Sequence, residues 1–431
     1  MAMVYVAGLD FGTSGARLTV INAAQEPVVE AKVAYCEGAQ TAWGTAWSNA
    51  LTTLLTELDQ AVRSQLGAIA INGTSATVLL CDGQGHPIAA PRLYNDACGQ
   101  AQLAAVKAVA PPGNAALSAT SSLVKLLWWC TELSSEALHQ AQYLLHQADW
   151  LASQLHGRLG VSDYHNALKL GYDVGALTYP DWLLRLLTPL GVVDWLPQVQ
   201  APGSPLGQVT AAASDRYGLP RNCVVMAGTT DSIAAFLASG ARSPGEAVTS
   251  LGSTLVIKLL SETRVDDTRY GIYSHRLGNL WLVGGASNTG GAVLRQYFTD
   301  ADLQTLSRQI AGDRPSPLDY YPLLRPGERF PISDPALPPR LTPRPDDPGA
   351  FLHGLLEGIA RIEAQGYERL IALGATPPTR IWTAGGGAQN ETWTTIRQRH
   401  LPATVAAAHS TAAALGTAYL ALSGWQAGAG A

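Results

Sequence analysis

Residues 9–17 read Leu9-Asp10-Phe11-Gly12-Thr13-Ser14-Gly15-Ala16-Arg17, a polar turn with two glycines between apolar segments. Residues 4–9 predict a strand that enters this turn, and residues 18–21 predict a strand that leaves it. The glycines permit left-handed backbone and the close approach of a ligand. Backbone N–H groups and hydroxyls in such a turn can hold phosphate oxygens, and Asp10 is placed to hold a hydrated Mg²⁺ beside them. An ordinary hairpin with a polar turn is an equal alternative at this point.

Composition restricts the class of protein. A length of 431 residues predicts two domains, and 47% hydrophobic with 14% charged residues is typical of a well-buried globular protein. The net charge of −5 gives no indication of a nucleic-acid-binding surface. No uncharged apolar stretch reaches the roughly 18 residues that a membrane span needs. The N-terminus lacks a signal-peptide pattern, which predicts a cytoplasmic protein, and the five scattered cysteines form no metal-spaced pair.

Three segments offer side chains that suit a sugar or another polyol. Ser75 lies in Gly73-Thr74-Ser75-Ala76-Thr77, directly after a predicted strand, where α/β proteins commonly bind ligands. Tyr94, Asn95 and Asp96 place an aromatic ring beside an amide and a carboxylate, although a turn or an N-cap explains them as well. His146 falls in a predicted amphipathic helix over residues 141–155, where a lone histidine is more often structural than functional.

An acidic residue stands at another junction between a strand and a helix. A predicted strand over residues 223–227 leads into Gly228-Thr229-Thr230-Asp231-Ser232, and a helix is predicted over residues 233–239. A carboxylate at this junction is either the N-cap of the helix or a functional acid, and the two roles can coexist.

The opening pattern recurs in the second half of the chain. Residues 246–260 predict two strands around Leu251-Gly252-Ser253-Thr254, a hairpin similar to the first without its acid. This repetition predicts a duplicated architecture facing a shared cleft. A later strand ends in Gly385-Gly386-Gly387, followed by Asn390 and Trp393, which suits a nucleoside. Between them lie a third glycine cluster, residues 284–291, and a proline-rich stretch, residues 312–348, predicted as a long ordered loop or a linker.

Taken together and in this order, these motifs resemble the FGGY family of carbohydrate kinases. The resemblance covers nearly the whole chain. It also includes three further motifs: Ser122-x-x-Lys125-Leu126-x-Trp128, Pro326-Gly327-Glu328-Arg329-Phe330-Pro331 and Glu357-Gly358-Ile359-Ala360.

The resemblance implies an α/β fold of two ribonuclease-H-like domains of the actin/Hsp70 type, hinged over an ATP cleft. The expected N-terminal domain, on the sugar side, comprises residues 1–235 plus 411–431. The expected C-terminal domain, on the nucleotide side, comprises residues 236–410. Closure of the two domains would exclude water from the reaction.

The resemblance also implies a reaction and roles for residues. ATP would phosphorylate a ketopentose, with Asp231 as the base, Asp10 as the Mg²⁺ ligand and Thr13 guiding the γ-phosphate. The residues expected to hold ATP are Gly12, Thr13, Ser14, Gly252, Ser253, Thr254, Gly386, Gly387, Asn390 and Trp393. The residues expected to hold the sugar are Asp10, Ser75, Tyr94, Asn95, Asp96, His146, Asp231 and Ser232.

The sugar itself is the most open part of this prediction. Glycerol and xylulose kinases carry a Gln/Met/His loop where this chain has residues 73–77. The short chain and its Gly-Thr-Ser loop are most similar to the compact cyanobacterial and plant pentulose kinases assigned to D-ribulose. D-xylulose and glycerol remain alternatives, as do an actin- or Hsp70-like ATPase and a sugar-binding regulator of kinase ancestry. The expected partners are the sugar and ATP, with no nucleic acid or membrane, and the oligomeric state stays open.

Overall fold

The computed structural model describes residues 4–36 and 42–429. The chain folds into two units. The first holds the described residues up to Ala238 and from Ala412 onward, and the second holds Ser239–Thr411. The parts of the expected N-terminal domain at residues 1–3, 37–41 and 430–431 lie outside the described residues.

The first unit alternates strands and helices, with a hairpin at its start. Its strands are β1 (Tyr5–Phe11), β2 (Gly15–Ile21), β3 (Pro27–Ala34), β4 (Leu66–Gly73), β5 (Val78–Cys81), β6 (Tyr143–His146), β7 (Val161–Asp163), β8 (Gln198–Gln200), β9 (Pro205–Gln208) and β10 (Val224–Thr230). Its helices are α1 (Trp43–Thr56), α2 (Gln60–Arg63), α3 (Leu103–Val109), α4 (Ser122–Glu132), α5 (Ser135–Gln140), α6 (Gln147–His156), α7 (Tyr164–Ala167), α8 (Asp181–Leu187), α9 (Ala211–Tyr217) and α10 (Asp231–Ala238).

A mixed sheet organises this unit. Among the described residues its strand order is β3-β2-β1-β4-β10-β9, with β1, β4 and β10 parallel to one another. Phe11, Gly73 and Thr230 are neighbours in register across these three strands. The carboxyl ends of the three strands therefore share one edge of the sheet, where open α/β sheets bind their ligands.

Helices cover both faces of this sheet, which is why β1 is buried along almost its whole length. On one face, α1 contributes Trp47, Leu51 and Leu55, a spacing that forms one apolar stripe on a helix. On the other face, the last helix of the chain approaches β1 closely, because a Cβ added at Gly8 would lie 2.2 Å from the carbonyl oxygen of Ala414.

The second unit repeats the same plan. Its strands are β11 (Glu246–Leu251), β12 (Leu255–Ser261), β13 (His275–Leu277), β14 (Leu280–Ala286), β15 (Arg380–Ala384) and β16 (Thr404–Ala407). Its helices are α11 (Gly291–Arg295), α12 (Asp300–Ser307), α13 (Pro348–Ala372) and α14 (Glu391–His400). The chain then returns to the first unit as α15 (Ala413–Ala429).

The sheet of the second unit has the order β13-β14-β12-β11-β15-β16 in the described part of the chain. Its hairpin β11–β12 is antiparallel, and β11 pairs in parallel with β15, as β1 does with β4 in the first unit. Helix α13 packs Leu352, Leu355 and Ile359 into a core shared with Leu251 and Leu255 of the hairpin. The expected pair of α/β units with mixed sheets is confirmed.

Two local predictions need correction or completion. The helix predicted over residues 141–155 is instead strand β6 followed by α6, so His146 ends a strand and does not lie within a helix. The proline-rich stretch lies inside the second unit, where bridges pair Tyr321 with Arg340 and Glu328 with Asp334. In residues 4–36 and 42–429, no helix combines the length and the apolar character needed to cross a membrane.

Candidate active site

The first hairpin turn is tight and open to solvent. The N–H of Gly12 donates to the carbonyl oxygen of Gly15 at 3.0 Å, and Thr13 and Ser14 between them are exposed. Neither glycine uses the left-handed backbone that it permits. Gly15 is required for another reason, because a Cβ there would lie 2.4 Å from the carbonyl oxygen of Val33 in β3.

Asp10 is a buried carboxylate at the carboxyl end of β1. Only 4% of the residue is exposed, and its Oδ2 lies 3.5 Å from Nη1 of Arg17 across the hairpin. Burial, followed by the negative charge of Asp231, raises the pKa of Asp10 to about 6, although Arg17 opposes the shift. Asp10 and Asp231 are therefore near enough to interact electrostatically.

Asp231 is the first residue of α10 and directly follows β10. It is half-buried, and its Oδ1 accepts a hydrogen bond from the N–H of Ser232 at 2.6 Å. The pairing of β10 with β4 shifts register between Met226 and Thr229. Such irregularities re-aim the residues that follow them and are common beside active sites.

The polar segment after β7 supports the end of β10. Nδ1 of His165 lies 2.7 Å from Oγ1 of Thr229, two residues before Asp231. Asn166 donates to the carbonyl oxygen of Thr229 at 3.4 Å and to Oδ2 of Asp163 at 2.6 Å.

Lys169, in the same segment, is a further candidate that the sequence did not single out. Burial lowers the pKa of Lys169, and the charge of Asp231 acts in the opposite direction. Lys169 is therefore near enough to Asp231 for the two side chains to interact electrostatically.

The turn that carries Ser75 is braced from several sides. Thr74 and Thr77 bond through their hydroxyls at 2.5 Å, and the N–H of Thr74 donates to Oε1 of Gln147 at 3.0 Å. Ala76 adopts a left-handed φ of 67°. Ser75 remains partly exposed at this braced turn, at the end of β4.

Lys125 joins this turn to the next predicted sugar segment. Its buried Nζ donates to the carbonyl oxygen of Ala76 at 2.8 Å and to that of Leu93 at 2.5 Å. The N–H of Tyr94 adds a bond to Oγ1 of Thr77 at 2.9 Å. Burial lowers the pKa of Lys125 to about 8. The structure thus brings the segments of Ser75 and Tyr94 together.

Asp96 lines a cleft of about 610 Å³, together with Arg92, Trp43 and Trp150. Its Oδ2 lies 3.2 Å from Nη1 of Arg92, and its Oδ1 accepts the N–H of Cys98 at 2.9 Å. Tyr94 and Asn95 beside it are exposed. Aromatic walls next to a carboxylate and a guanidinium are suited to a polyhydroxylated ligand.

His146 is not part of this surface. It is 0% exposed, and its Nδ1 lies 2.9 Å from Oδ2 of Asp149 and 3.2 Å from Oγ of Ser162. Its Nε2 lies 3.3 Å from Oγ of Ser122. Because both ring nitrogens have protein partners in the interior, the predicted sugar contact of His146 is withdrawn.

The second hairpin presents Gly252, Ser253 and Thr254 at the end of β11. The N–H of Gly291 donates to the carbonyl oxygen of Gly252 at 2.8 Å, and the N–H of Ala292 donates to that of Ser253 at 3.1 Å. Ser253 is exposed. The turn is therefore held from behind, with Ser253 on its exposed side.

Gly386 and Gly387 lie beside this hairpin in the same unit. A Cβ at Gly387 would lie 2.6 Å from the Cβ of Leu251 and 2.8 Å from the ring of Trp393. Gly385 before them has a left-handed φ of 81°. Because these glycines have no side chains, the segment that follows β15 packs directly against the hairpin.

Asn390 and Trp393 have structural roles. Asn390 caps α14 by accepting the N–H of Trp393 at 2.9 Å, and its Nδ2 donates to Oγ of Ser307 at 2.8 Å. Trp393 is 2% exposed, lies in the core, and donates its indole N–H to the carbonyl oxygen of Leu356 at 3.2 Å. Trp393 is therefore withdrawn as an adenosine contact, and Asn390 retains only its exposed edge for that role.

The carboxylates of the first unit suit a hard divalent cation. Mg²⁺ prefers oxygen ligands, keeps several waters, and is commonly held by one or two carboxylates plus substrate phosphates. Asp10 is such a carboxylate, and the neighbouring charge of Asp231 adds to its attraction for a cation, so it fits a Mg²⁺ ion that arrives with phosphates. Within the described residues, no group of three or more His, Cys, Asp or Glu side chains that could hold a metal ion is found.

Comparison with known proteins identifies the family. Residues 5–238 match the N-terminal domain of the FGGY family of carbohydrate kinases, and residues 247–425 match its C-terminal domain. A xylulose kinase of Bacillus subtilis is 22% identical over 418 residues, which are 91% of this chain and 82% of the relative. An autoinducer-2 kinase of Escherichia coli K12 is 26% identical over 301 residues, or 64% of this chain and only 56% of the relative.

A solved structure shares the fold. The xylulose kinase from Brucella ovis superposes with a TM-score of 0.83 at 22% identity, covering 98% of this chain and 91% of that one. At this identity the likeness bears on the fold alone. The two domain matches together span most of the sequence, and the chain therefore belongs to the FGGY family of carbohydrate kinases, which phosphorylate sugars with ATP.

Proposed function

We propose that this kinase phosphorylates the primary hydroxyl of a ketopentose, with D-ribulose as its preferred substrate and D-ribulose 5-phosphate as its product. The observation that carries the proposed chemistry is the electrostatic interaction of Asp10 with Asp231 at one edge of the first sheet. The choice of D-ribulose rests on the Gly-Thr-Ser loop at Ser75, in which the chain resembles the pentulose kinases assigned to D-ribulose. D-xylulose is the second candidate, because the Bacillus subtilis relative is named a xylulose kinase.

Asp231 is the proposed general base. The hydroxyl oxygen of the sugar attacks the γ-phosphorus of ATP, the bond from that phosphorus to the β–γ bridging oxygen breaks, and ADP leaves. The proton of the hydroxyl passes to the carboxylate of Asp231. Lys169 lies near enough to interact electrostatically with this carboxylate.

Asp10 is the proposed metal carboxylate. A Mg²⁺ ion bound with ATP would neutralise the negative charge that builds up on the phosphates. Asp10 would hold it from the protein side, through water, and the raised pKa of Asp10 would fall as the cation binds.

The remaining contacts divide by unit. In the first unit, Gly12, Thr13 and Ser14 are proposed for phosphate, and Ser75, Tyr94, Asn95, Asp96 and Ser232 for the sugar. In the second unit, Gly252, Ser253 and Thr254 are proposed for phosphate, and Gly386, Gly387 and the edge of Asn390 for adenosine. Since all five cysteines are free thiols, we also propose a reducing, cytoplasmic location.

A substrate panel tests the proposal. The purified protein is supplied with Mg-ATP and D-ribulose, D-xylulose, L-ribulose, L-xylulose or glycerol, and ADP release is measured as kcat/KM. The highest value is expected for D-ribulose. ADP release that no sugar accelerates would instead support an ATPase without a sugar substrate.

A variant tests the base. Asp231→Ala should lower sugar phosphorylation by orders of magnitude while the affinity for nucleotide is retained. Turnover that survives this substitution would remove Asp231 from the base role.

A further inference from the structure

The segment Pro326-Gly327-Glu328-Arg329-Phe330-Pro331 contains a buried carboxylate for which the proposed chemistry has no use. Glu328 is 3% exposed and lies in the proline-rich stretch of the second unit. We propose that Glu328 is a positioning residue for the phosphates of ATP, acting through the β11–β12 hairpin. This inference rests on the proposed nucleotide role of Gly252, Ser253 and Thr254.

Glu328 binds one short turn of backbone with both carboxylate oxygens. Its Oε2 accepts from Oγ of Ser287 at 2.5 Å and from the hydroxyl of Tyr321 at 3.1 Å. Its Oε1 accepts from the N–H groups of Asn288 at 2.8 Å and Arg329 at 2.9 Å. Asn288 returns a bond from Nδ2 to the carbonyl oxygen of Gly327 at 2.9 Å. The turn at Ser287 and Asn288 is thereby fixed to Glu328.

The donors to Glu328 are hydroxyl and backbone N–H groups. A buried carboxylate that is compensated by oriented neutral donors depends on the position of each of them. The arrangement therefore selects one conformation of the turn, and a neutral amide in place of the carboxylate cannot accept all of these bonds.

The fixed turn continues directly into the backbone behind the hairpin. The N–H of Leu255 donates to the carbonyl oxygen of Thr289 at 2.7 Å, and the N–H of Gly291 donates to that of Gly252 at 2.8 Å. A Cβ at Gly290 would lie 2.7 Å from Cα of Thr254, so the two segments touch without a gap. A displacement at Ser287 is consequently transmitted to the phosphate turn.

Glu357 provides a matched control, because it is a second carboxylate buried in the same unit. Its oxygens bind Arg399 at 2.6 and 3.1 Å and His400 at 2.7 Å, and these partners belong to α14. None of these hydrogen bonds reaches the hairpin or residues 287–291. Loss of Glu357 should therefore affect stability without acting on the phosphate turn in particular.

The test compares Glu328→Gln with Glu357→Gln. Binding of Mg-ADP is measured by calorimetry without sugar, and KM values are measured for ATP and for the best sugar of the panel. In Glu328→Gln the affinity for Mg-ADP should fall about tenfold, with the sugar KM unchanged within about twofold. In Glu357→Gln both should stay near the wild-type values, whatever the loss in Tm.

Equal nucleotide affinity in folded Glu328→Gln and wild type would overturn the inference, as would an equal loss in Glu357→Gln. If Glu328→Gln does not fold, Ser287→Ala and Tyr321→Phe each remove one donor and decide the question by the same binding measurement. A wild-type protein that binds Mg-ADP but phosphorylates none of the sugars refutes the proposed substrate class and leaves this test intact.

Discussion

Burial, and after it the negative charge of Asp231 at the start of α10, raises the pKa of Asp10 at the end of β1. These residues are 221 positions apart in the sequence and meet because β1, β4 and β10 are parallel neighbours. Two neighbouring carboxylates repel each other until a proton neutralises one of them or a bound cation compensates their charges. In the apoprotein, ionised Asp10 therefore destabilises the folded state at the place where the proposed mechanism requires a metal ion.

Because of this destabilisation, we predict that Asp10→Asn stabilises the apoprotein at neutral pH. The pKa of Asp10 is about 6 in the folded chain against 3.8 ordinarily, so ionisation disfavours the folded state. The penalty is absent below about pH 4 and complete above about pH 6, where it reaches at most about 3 kcal/mol. Tm should therefore exceed that of the wild type at pH 7.5 and match it near pH 4, without metal and nucleotide.

Asp231→Asn serves as the companion variant, because removing the charge of Asp231 lowers the pKa of Asp10. In this variant the pKa of Asp10, followed by NMR titration, should fall but stay above its ordinary value, since burial is the larger cause of the shift. A loss of stability in Asp10→Asn at pH 7.5 contradicts this electrostatic account.

Lys125→Met should weaken binding of the sugar and leave binding of the nucleotide intact. The substitution removes the ammonium that joins the carbonyl oxygens of Ala76 and Leu93, so the two sugar segments lose their common brace. The sugar KM should rise about tenfold, while the affinity for Mg-ADP stays within about twofold. The exposed Lys107 of α3 supplies the control Lys107→Met, in which neither value should change. A rise in the KM for ATP alone would refute the assignment.

Thr229→Val should lower kcat with little effect on either KM. The hydroxyl of Thr229 bonds Nδ1 of His165 and holds the end of β10, from which Asp231 projects. Valine keeps the shape of threonine but cannot make this bond, so we expect kcat to fall about tenfold. Thr19→Val, at a buried threonine of β2, is the control and should leave kcat unchanged. Wild-type turnover in Thr229→Val would show that His165 does not position the base.

The fold could be predicted from the sequence because local patterns repeat. The two Gly/hydroxyl turns, at Gly12 and Gly252, each lie between short apolar runs. In the structure each turn joins the first two strands of its unit into an antiparallel hairpin. The acid at Asp231 was also visible, since a carboxylate after an apolar run that ends in glycine and threonine marks the carboxyl edge of a sheet.

Burial of individual side chains could not be predicted in the same way. Histidine and tryptophan are common in binding sites, which is why His146 and Trp393 were candidates. Only tertiary packing places His146 among Ser122, Asp149 and Ser162. The braces at Lys125 and Glu328 were missed for the converse reason. Lys125 binds two backbone carbonyls and Glu328 a backbone N–H, all distant in sequence, and a backbone carbonyl or amide leaves no mark in a residue pattern.

The interior position of Trp393 leads to the last prediction. Trp393→Phe removes the indole bond to the carbonyl oxygen of Leu356 and leaves a small cavity against α13. Its free energy of unfolding should fall by about 1–3 kcal/mol, measured by urea denaturation. The affinity for Mg-ADP should remain within about twofold of the wild type, because the ring is buried in the core. The exposed Gln389 lies outside the core and supplies the control Gln389→Ala, which should alter neither stability nor overall folding. A weakened affinity for nucleotide at unchanged stability in Trp393→Phe would instead return this tryptophan to the adenosine site.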